Sequence, residues 1–162
     1  MKTGTFRRWL RGAEIVLSLI SFALVYSSPT PGAIAQIENL GLIMMSCWAY
    51  TLAALGADLL DVGQKLPDTW PLMEFALDFL FVVLSMGGGV TTFVKCNQTF
   101  DGRTPFCADN SPYIDRPATI HMAATCAVLT CLGLSASLMI DYNAWLQVLT
   151  TSCVLACLRV CV

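Results

Sequence analysis

The chain has 162 residues, of which 56% are hydrophobic and 12% are charged, whereas a soluble domain carries about twice that charged fraction. Its net charge is −2, which excludes the basic surface that nucleic-acid binding requires. The mean hydropathy is +0.68. These values favour an integral membrane protein whose partner is the lipid bilayer, with no nucleic acid. For such a protein we also expect either self-association or contact with other membrane proteins.

Four apolar runs follow one another along the chain. Each run has the roughly 20 residues that a helix needs to cross a bilayer, and helices are the form that satisfies the backbone in lipid. The short links favour antiparallel neighbours. The sequence therefore predicts an all-α, transmembrane four-helix bundle with up-down-up-down topology over residues 12–142. The predicted spans are 12–28, 40–60, 71–94 and 118–140.

The first run follows a basic N-terminus, residues 1–11, which we interpret as a cytoplasmic segment. A secretory signal peptide has a similar pattern. However, the apolar run is long for such a peptide, and Pro29-Thr30-Pro31 does not resemble a cleavage site. We therefore expect an uncleaved first span.

The last segment, residues 143–162, is apolar and rich in cysteine. It is short for a span, and Asp141 and Asn143 are expected to separate it from the fourth run. We interpret it as a short tail helix lying at the membrane interface, with a fifth span as the alternative. Three tail cysteines share one helical face and are candidates either for S-acylation or for simple packing: Cys153, Cys157 and Cys161.

The long loop, residues 95–117, contains two cysteines in a polar setting. Cys96 and Cys107 bracket Gly102 and Pro105, which suit a turn, so a disulfide is expected on an oxidising face; two free thiols are the alternative. Asn97 begins a glycosylation sequon, although it lies close to the membrane. A metal site is not expected, because one cysteine pair without a His-x-x-x-His motif does not match zinc-ligand spacing.

Acidic residues in the spans are the main candidates for a functional site. Glu14 and Asp58 are expected near the cytoplasmic interface, where water can solvate them. Asp78 is about 10 Å inside the third span, with Glu74 one turn earlier on the same face, so it should face the bundle and find a partner. We expect that partner among the polar residues of the first span, namely Arg11, Ser18 and Ser21.

Small residues recur every four positions on the second and fourth runs. Such stripes let helix backbones approach closely in lipid, and they serve either to close the bundle or to join protomers. The stripe of the second run consists of Ala49, Ala53 and Ala57. The stripe of the fourth run consists of Ala123, Ala127, Cys131 and Ser135.

Catalytic motifs and phosphate loops are absent from the sequence, and His121, the single histidine, has no convergent acid. We therefore expect no enzyme activity, no catalytic residue and no cofactor. The alternative function is a small transporter or channel subunit that uses the intramembrane carboxylate of Asp78.

Residues 8–142 resemble the MARVEL-domain superfamily of four-span membrane proteins. The resemblance rests on the basic lead RRWLRGAEIVL, on EFALDFLFVVLSMGGG at the start of the third span, on the paired-cysteine loop and on MAATCAVLTCLGLSASLMI. It implies a role in membrane apposition, vesicle trafficking or lateral membrane domains, at the plasma membrane or on endomembrane vesicles. The cysteine-rich tail after Asn143 departs from the family pattern, in which a hydrophilic tail is expected.

Orientation follows from the distribution of Lys and Arg, which are six to three in favour of the side that holds both termini. We predict cytoplasmic termini and an external or luminal 95–117 loop. Protease treatment of sealed vesicles tests this topology directly. Protection of the loop and cleavage of the termini from the cytoplasmic side are expected, and cleavage within the loop from that side would refute the prediction.

Overall fold

Four α-helices make up the computed structural model, which describes residues 3–27, 35–60, 70–99, 105–107 and 116–160. After Asn143, Leu146 is the single residue whose side chain is described. The helices are α1 Thr3–Tyr26, α2 Ala35–Leu59, α3 Trp70–Asn97 and α4 Pro117–Val160. All four contain a segment long and apolar enough to cross a membrane, which confirms the predicted four-span, all-α fold.

Side-chain contacts establish the direction of each helix. The first half of α1 meets the first half of α3 through Arg11 and Asp78, and it meets the middle of α4 through Glu14 and Ser137. Near its end, α1 meets the beginning of α4, where the Ser21 hydroxyl donates to the backbone carbonyl of Ala123 at 2.8 Å. Helices α1 and α3 therefore run parallel to each other and antiparallel to α4. The α2 helix packs between α1 and α3, which completes the predicted up-down-up-down bundle.

The bundle buries ionisable side chains among its apolar core and exposes large apolar side chains on its outer surface. Large side chains such as Trp9, Leu72 and Met139 are 75%, 69% and 71% exposed on its outer surface. Arg11, Glu14 and Asp78 are fully buried in its interior. This arrangement suits a lipid environment, where the outer surface gains by being apolar and ionisable side chains are expensive unless they face the interior.

Two helices are longer than the apolar runs that predict the membrane spans. Helix α1 begins at Thr3, so most of the segment 1–11 is helical, and Arg11 lies inside the bundle. Helix α4 continues without a break past Asp141 and Asn143 to Val160, so no separate tail helix begins at 143. At 1.5 Å per residue α4 is about 66 Å long, roughly twice the hydrocarbon thickness.

The two small-residue stripes have opposite environments. On α4, Ala123 and Ala127 are fully buried and Cys131 is 6% exposed, so this stripe packs within the bundle, with Ser135 half-buried at its end. On α2, Ala49 and Ala53 are exposed on the outer surface, so this stripe does not close the bundle. Its other side, with Met44, Cys47, Thr51 and Ala54, faces the interior.

Helices α3 and α4 pack tightly against each other at Gly89. A Cβ atom at this position would lie 3.1 Å from the Val128 Cγ2 atom and 3.2 Å from the backbone oxygen of Ala124. Helix backbones that pack this closely leave no room for a side chain. By contrast, a Cβ at Gly87 would meet nothing within 4 Å.

Gly89→Leu should therefore destabilise the bundle by about 1–3 kcal/mol through overpacking. Gly87→Leu, two positions away on the same helix, is the matched control and should leave the stability unchanged or slightly raised, because leucine favours helix more than glycine does. Unfolding of both variants in detergent micelles measures the difference. Equal stability of the two variants would show that α3 and α4 do not meet at Gly89.

Candidate functional site

Arg11 lies at the centre of a buried cluster of charged side chains. Its guanidinium donates from Nη1 to the Asp78 Oδ1 atom at 2.8 Å and from Nη2 to Oδ2 at 2.5 Å. Both side chains are fully buried. This bidentate geometry matches the planar guanidinium to the planar carboxylate, and it gives the strongest class of hydrogen bond between side chains.

Two further residues complete the surroundings of Asp78. The Tyr50 hydroxyl donates to Asp78 Oδ1 at 2.8 Å, so α2 joins the pair that α1 and α3 form. The ring of Tyr50 also lies 5.7 Å from the guanidinium carbon of Arg11, within the range of a cation–π interaction. Glu74, one turn before Asp78, accepts from Arg11 Nη2 at 3.2 Å.

Glu14 extends the cluster to α4. One of its carboxylate oxygens accepts from Arg11 Nη1 at 3.1 Å, and the other accepts from the Ser137 hydroxyl at 2.8 Å. Gly133 leaves space for this side chain, since a Cβ there would lie 3.1 Å from Glu14 Cγ. The expectation that Glu14 is solvated at the interface is therefore wrong, because the carboxylate is fully buried against Arg11 and α4.

The cluster opens at the end of the bundle where α1 and α3 begin. There the guanidinium nitrogens of Arg7 lie 2.5 Å from a carboxylate oxygen of Glu74, 3.4 Å from one of Asp141 and 3.8 Å from one of Asp58. The side chains of Asp58 and Asp141 are 27% and 23% exposed. Carboxylates outnumber guanidinium groups among the described members of the cluster, and its more exposed end is where water or counter-ions can reach the excess negative charge.

The structure brings together the predicted residues Arg11, Glu74 and Asp78 and separates them from the predicted serines. Ser18 donates to the backbone oxygen of Glu14 at 2.7 Å, and Ser21 donates to α4. Of the three candidate partners of Asp78, Arg11 is therefore the one that binds it, and the two serines bind elsewhere. Helical serines readily bond to the carbonyl one turn earlier, which satisfies Ser18 locally.

Several members of the cluster were missed by the sequence analysis. Tyr50 is embedded in an apolar run and gives no periodic signal. Asp141 was interpreted as a helix break, although it lies on continuous helix beside Arg7. A signal for Glu14 was present, since Arg11 and Glu14 are three residues apart and such pairs share a helix face.

The remaining candidate residues lie at the opposite end of the bundle or in the tail. The predicted disulfide between Cys96 and Cys107 is present, with the two Cα atoms 4.7 Å apart. Asn97 is exposed at the end of α3, where its side-chain amide donates to the Phe93 backbone oxygen at 3.0 Å; its glycosylation stays a prediction. The side chains of Cys153, Cys157 and Cys161 lie outside the described residues, and so does their predicted acylation.

Comparison with known proteins identifies one family. The model of the membrane-associating domain called MARVEL matches residues 5–140. This range extends from α1 into α4 and includes the charge cluster except for Asp141. The search of curated proteins finds no match, and neither does the search of solved structures.

Asp78→Asn should destabilise the bundle by about 3 kcal/mol, because removing one partner leaves a buried charge partly uncompensated. The matched control is Asp58→Asn, which makes the same chemical change at a half-buried acid and should cost at most about 1 kcal/mol. Equilibrium unfolding in detergent micelles gives both values. If Asp58→Asn destabilised the bundle as much as Asp78→Asn does, burial would not be the reason why the Arg11–Asp78 pair stabilises it.

Proposed function

Since the chain belongs to the MARVEL family of membrane-associating domains, we propose that it organises lateral membrane domains or assists vesicle trafficking and membrane apposition without catalysing a reaction. It acts through helix packing and self-association in the bilayer. The observation that carries this proposal is the position of its polar groups. The ionisable groups of the spans are gathered in the buried cluster, which leaves an outer surface made mostly of apolar and small side chains.

The internal partners of the charge cluster support a structural role. Asp78 is held by two atoms of Arg11 and by the Tyr50 hydroxyl, and Glu14 is held by Arg11 and Ser137. Carboxylates with several fixed donors stabilise one arrangement of the helices. A group that carries protons or ions instead needs to exchange its partners during each cycle.

The distribution of acids argues against the transporter alternative. Among the described residues, the buried carboxylates Glu14, Glu74 and Asp78 all belong to the one cluster. Farther along the inward face of α3 lie Ser85 and Thr92, whose hydroxyls are neutral. An intramembrane proton path commonly uses a chain of acids or histidines, and this cluster does not extend as such a chain through the described interior.

The outward stripe of α2 is the surface that we assign to self-association. Ala49 and Ala53 are exposed and Ala57 is half-buried, so three small side chains one turn apart face away from the bundle centre. In lipid, small residues at this spacing let a second helix approach closely enough for van der Waals contact. The buried α4 stripe, by contrast, is already occupied by packing within the chain.

Ala53→Leu should weaken self-association because a larger side chain separates the two backbones. Ala76→Leu is the matched control, since Ala76 is also an exposed alanine but lies on α3 outside the stripe. Energy transfer between labelled chains in liposomes, measured against dilution with lipid, gives the association constant. We expect at least a fivefold loss for Ala53→Leu, about 1 kcal/mol, and no change for Ala76→Leu.

The same liposomes also distinguish a membrane-organising protein from a transporter. An ion or proton flux through the normal protein that disappears in Asp78→Asn, while that variant keeps its helical bundle, would overturn the proposal in favour of a transporter. Equal association of the Ala53→Leu and Ala76→Leu variants would remove α2 as the self-association surface.

A further inference from the structure

His121 lies beside the disulfide at the end of the bundle opposite the charge cluster. Ligand atoms of Cys96, Cys107 and His121 all lie within 4.8 Å of one another. They come from three different segments, namely the last turn of α3, the short segment 105–107 and the second turn of α4. His121 is the single histidine of the chain, and this is the one group of three such ligands among the described residues.

Backbone hydrogen bonds, as well as the disulfide, keep residues 105–107 beside the end of α3. The Cys107 amide donates to the Cys96 carbonyl at 3.2 Å, and the Phe106 amide donates to the Gln98 carbonyl at 3.1 Å. Thr99 and Pro105 form an isolated antiparallel bridge. These contacts hold the backbone of Cys107 beside that of Cys96 whether or not the sulfur atoms are bonded.

The imidazole is also fixed by the packing of α4 on α3. The ring of Phe93 lies 5.8 Å from that of His121, measured between centroids. One turn toward the bundle centre, Gly89 brings α3 into close contact with Ala124 and Val128 of α4. The imidazole therefore stays next to the cysteines for a reason that is independent of the disulfide.

We propose that, when the disulfide is reduced, Cys96, Cys107 and His121 form a zinc site. Two thiolates and one imidazole are a favoured ligand set for Zn²⁺, and three protein ligands leave the fourth tetrahedral position for water. Zinc–sulfur bonds of about 2.3 Å place two tetrahedral sulfur ligands roughly 3.8 Å apart. The three ligand atoms already lie within 4.8 Å of one another, and the two sulfur atoms, which are bonded to each other in the disulfide, need to move apart only to that separation after reduction.

The chemistry balances with a thiol reductant as the second reactant. Two small-molecule thiols cleave the sulfur–sulfur bond and become a disulfide themselves, while Cys96 and Cys107 become thiols. Zinc then displaces the two thiol protons, because thiolates are the form that binds metal. The disulfide and the zinc ion are mutually exclusive. Under oxidising conditions a covalent bond joins Cys96 to Cys107, and under reducing conditions a metal joins both cysteines to His121 of α4.

The test uses the full-length chain in detergent micelles, purified throughout in a phosphine reductant and stripped of metal with a chelator. Cobalt(II) is the spectroscopic probe, since bound thiolates give it a sulfur-to-metal charge-transfer band. We expect one cobalt ion per chain, displaced by zinc, and no such band for the oxidised protein. Zinc should also protect Cys96 and Cys107 from alkylation by a maleimide, as located by mass spectrometry.

His121→Gln should weaken zinc binding by more than about tenfold, because losing a ligand costs at least as much as losing a residue that only supports a ligand. The disulfide of this variant should still form on oxidation, which shows that the variant folds. A variant with Ser at Cys153, Cys157 and Cys161 is the matched control and should bind zinc normally. Three results would overturn the proposal: equal binding by the oxidised protein, unchanged affinity in His121→Gln, or zinc protection that falls on other cysteines.

Discussion

An arginine buried in an apolar bundle must be surrounded by acceptors, and Arg11 imposes this constraint on the whole structure. Its side chain is fully buried, and it reaches Asp78, Glu14 and Glu74. Leaving such a charge without partners inside the membrane costs several kcal/mol. The rotation of α1 and α3 about their axes is therefore fixed by the need to bring these groups together.

The other helices follow from the same requirement. Tyr50 of α2 and Ser137 of α4 complete the hydrogen bonds of the two most buried carboxylates. Once these positions face inward, the 3.6-residue period decides what the remaining side chains face. On α4 the small-residue stripe turns inward and lets α3 approach at Gly89, whereas on α2 the stripe turns toward lipid. The surface that we propose for self-association is thus a consequence of where the internal charges lie.

Much of the fold was predictable because a bilayer imposes simple rules on a sequence. Each apolar run of about 20 residues had to be a helix, and Asp78 had to face the interior. The lengths of α1 and α4 were not predictable from hydropathy, since a helix extends into polar sequence where residues of other helices pair with its charged side chains. Arg7 and Arg11 lie in the helical bundle because acids on α3 and α4 compensate them. Asp141 stays helical because Arg7 lies beside it.

The sequence pattern likewise did not predict which small-residue stripe is buried and which is exposed. Ala49, Ala53 and Ala57 have the same spacing as the stripe on α4, and spacing alone does not tell which stripe turns inward. The rotation of α2 depends on Tyr50, whose hydroxyl donates to Asp78. A single tyrosine in an apolar run gives no periodic signal from which this rotation could be predicted. The disulfide was accessible to sequence reasoning, because two cysteines flanking a turn needed no knowledge of helix rotation.

The central claim is that Arg11 and Asp78 depend on each other energetically inside the bundle. A double-mutant cycle with Arg11→Met, Asp78→Leu and the double variant, unfolded in detergent micelles, measures that dependence. We predict that the double variant loses less stability than the two single variants together, by roughly 2 kcal/mol or more. Losses that add to within about 0.5 kcal/mol would contradict the account, because they would show two independent side chains rather than a pair on which the bundle depends.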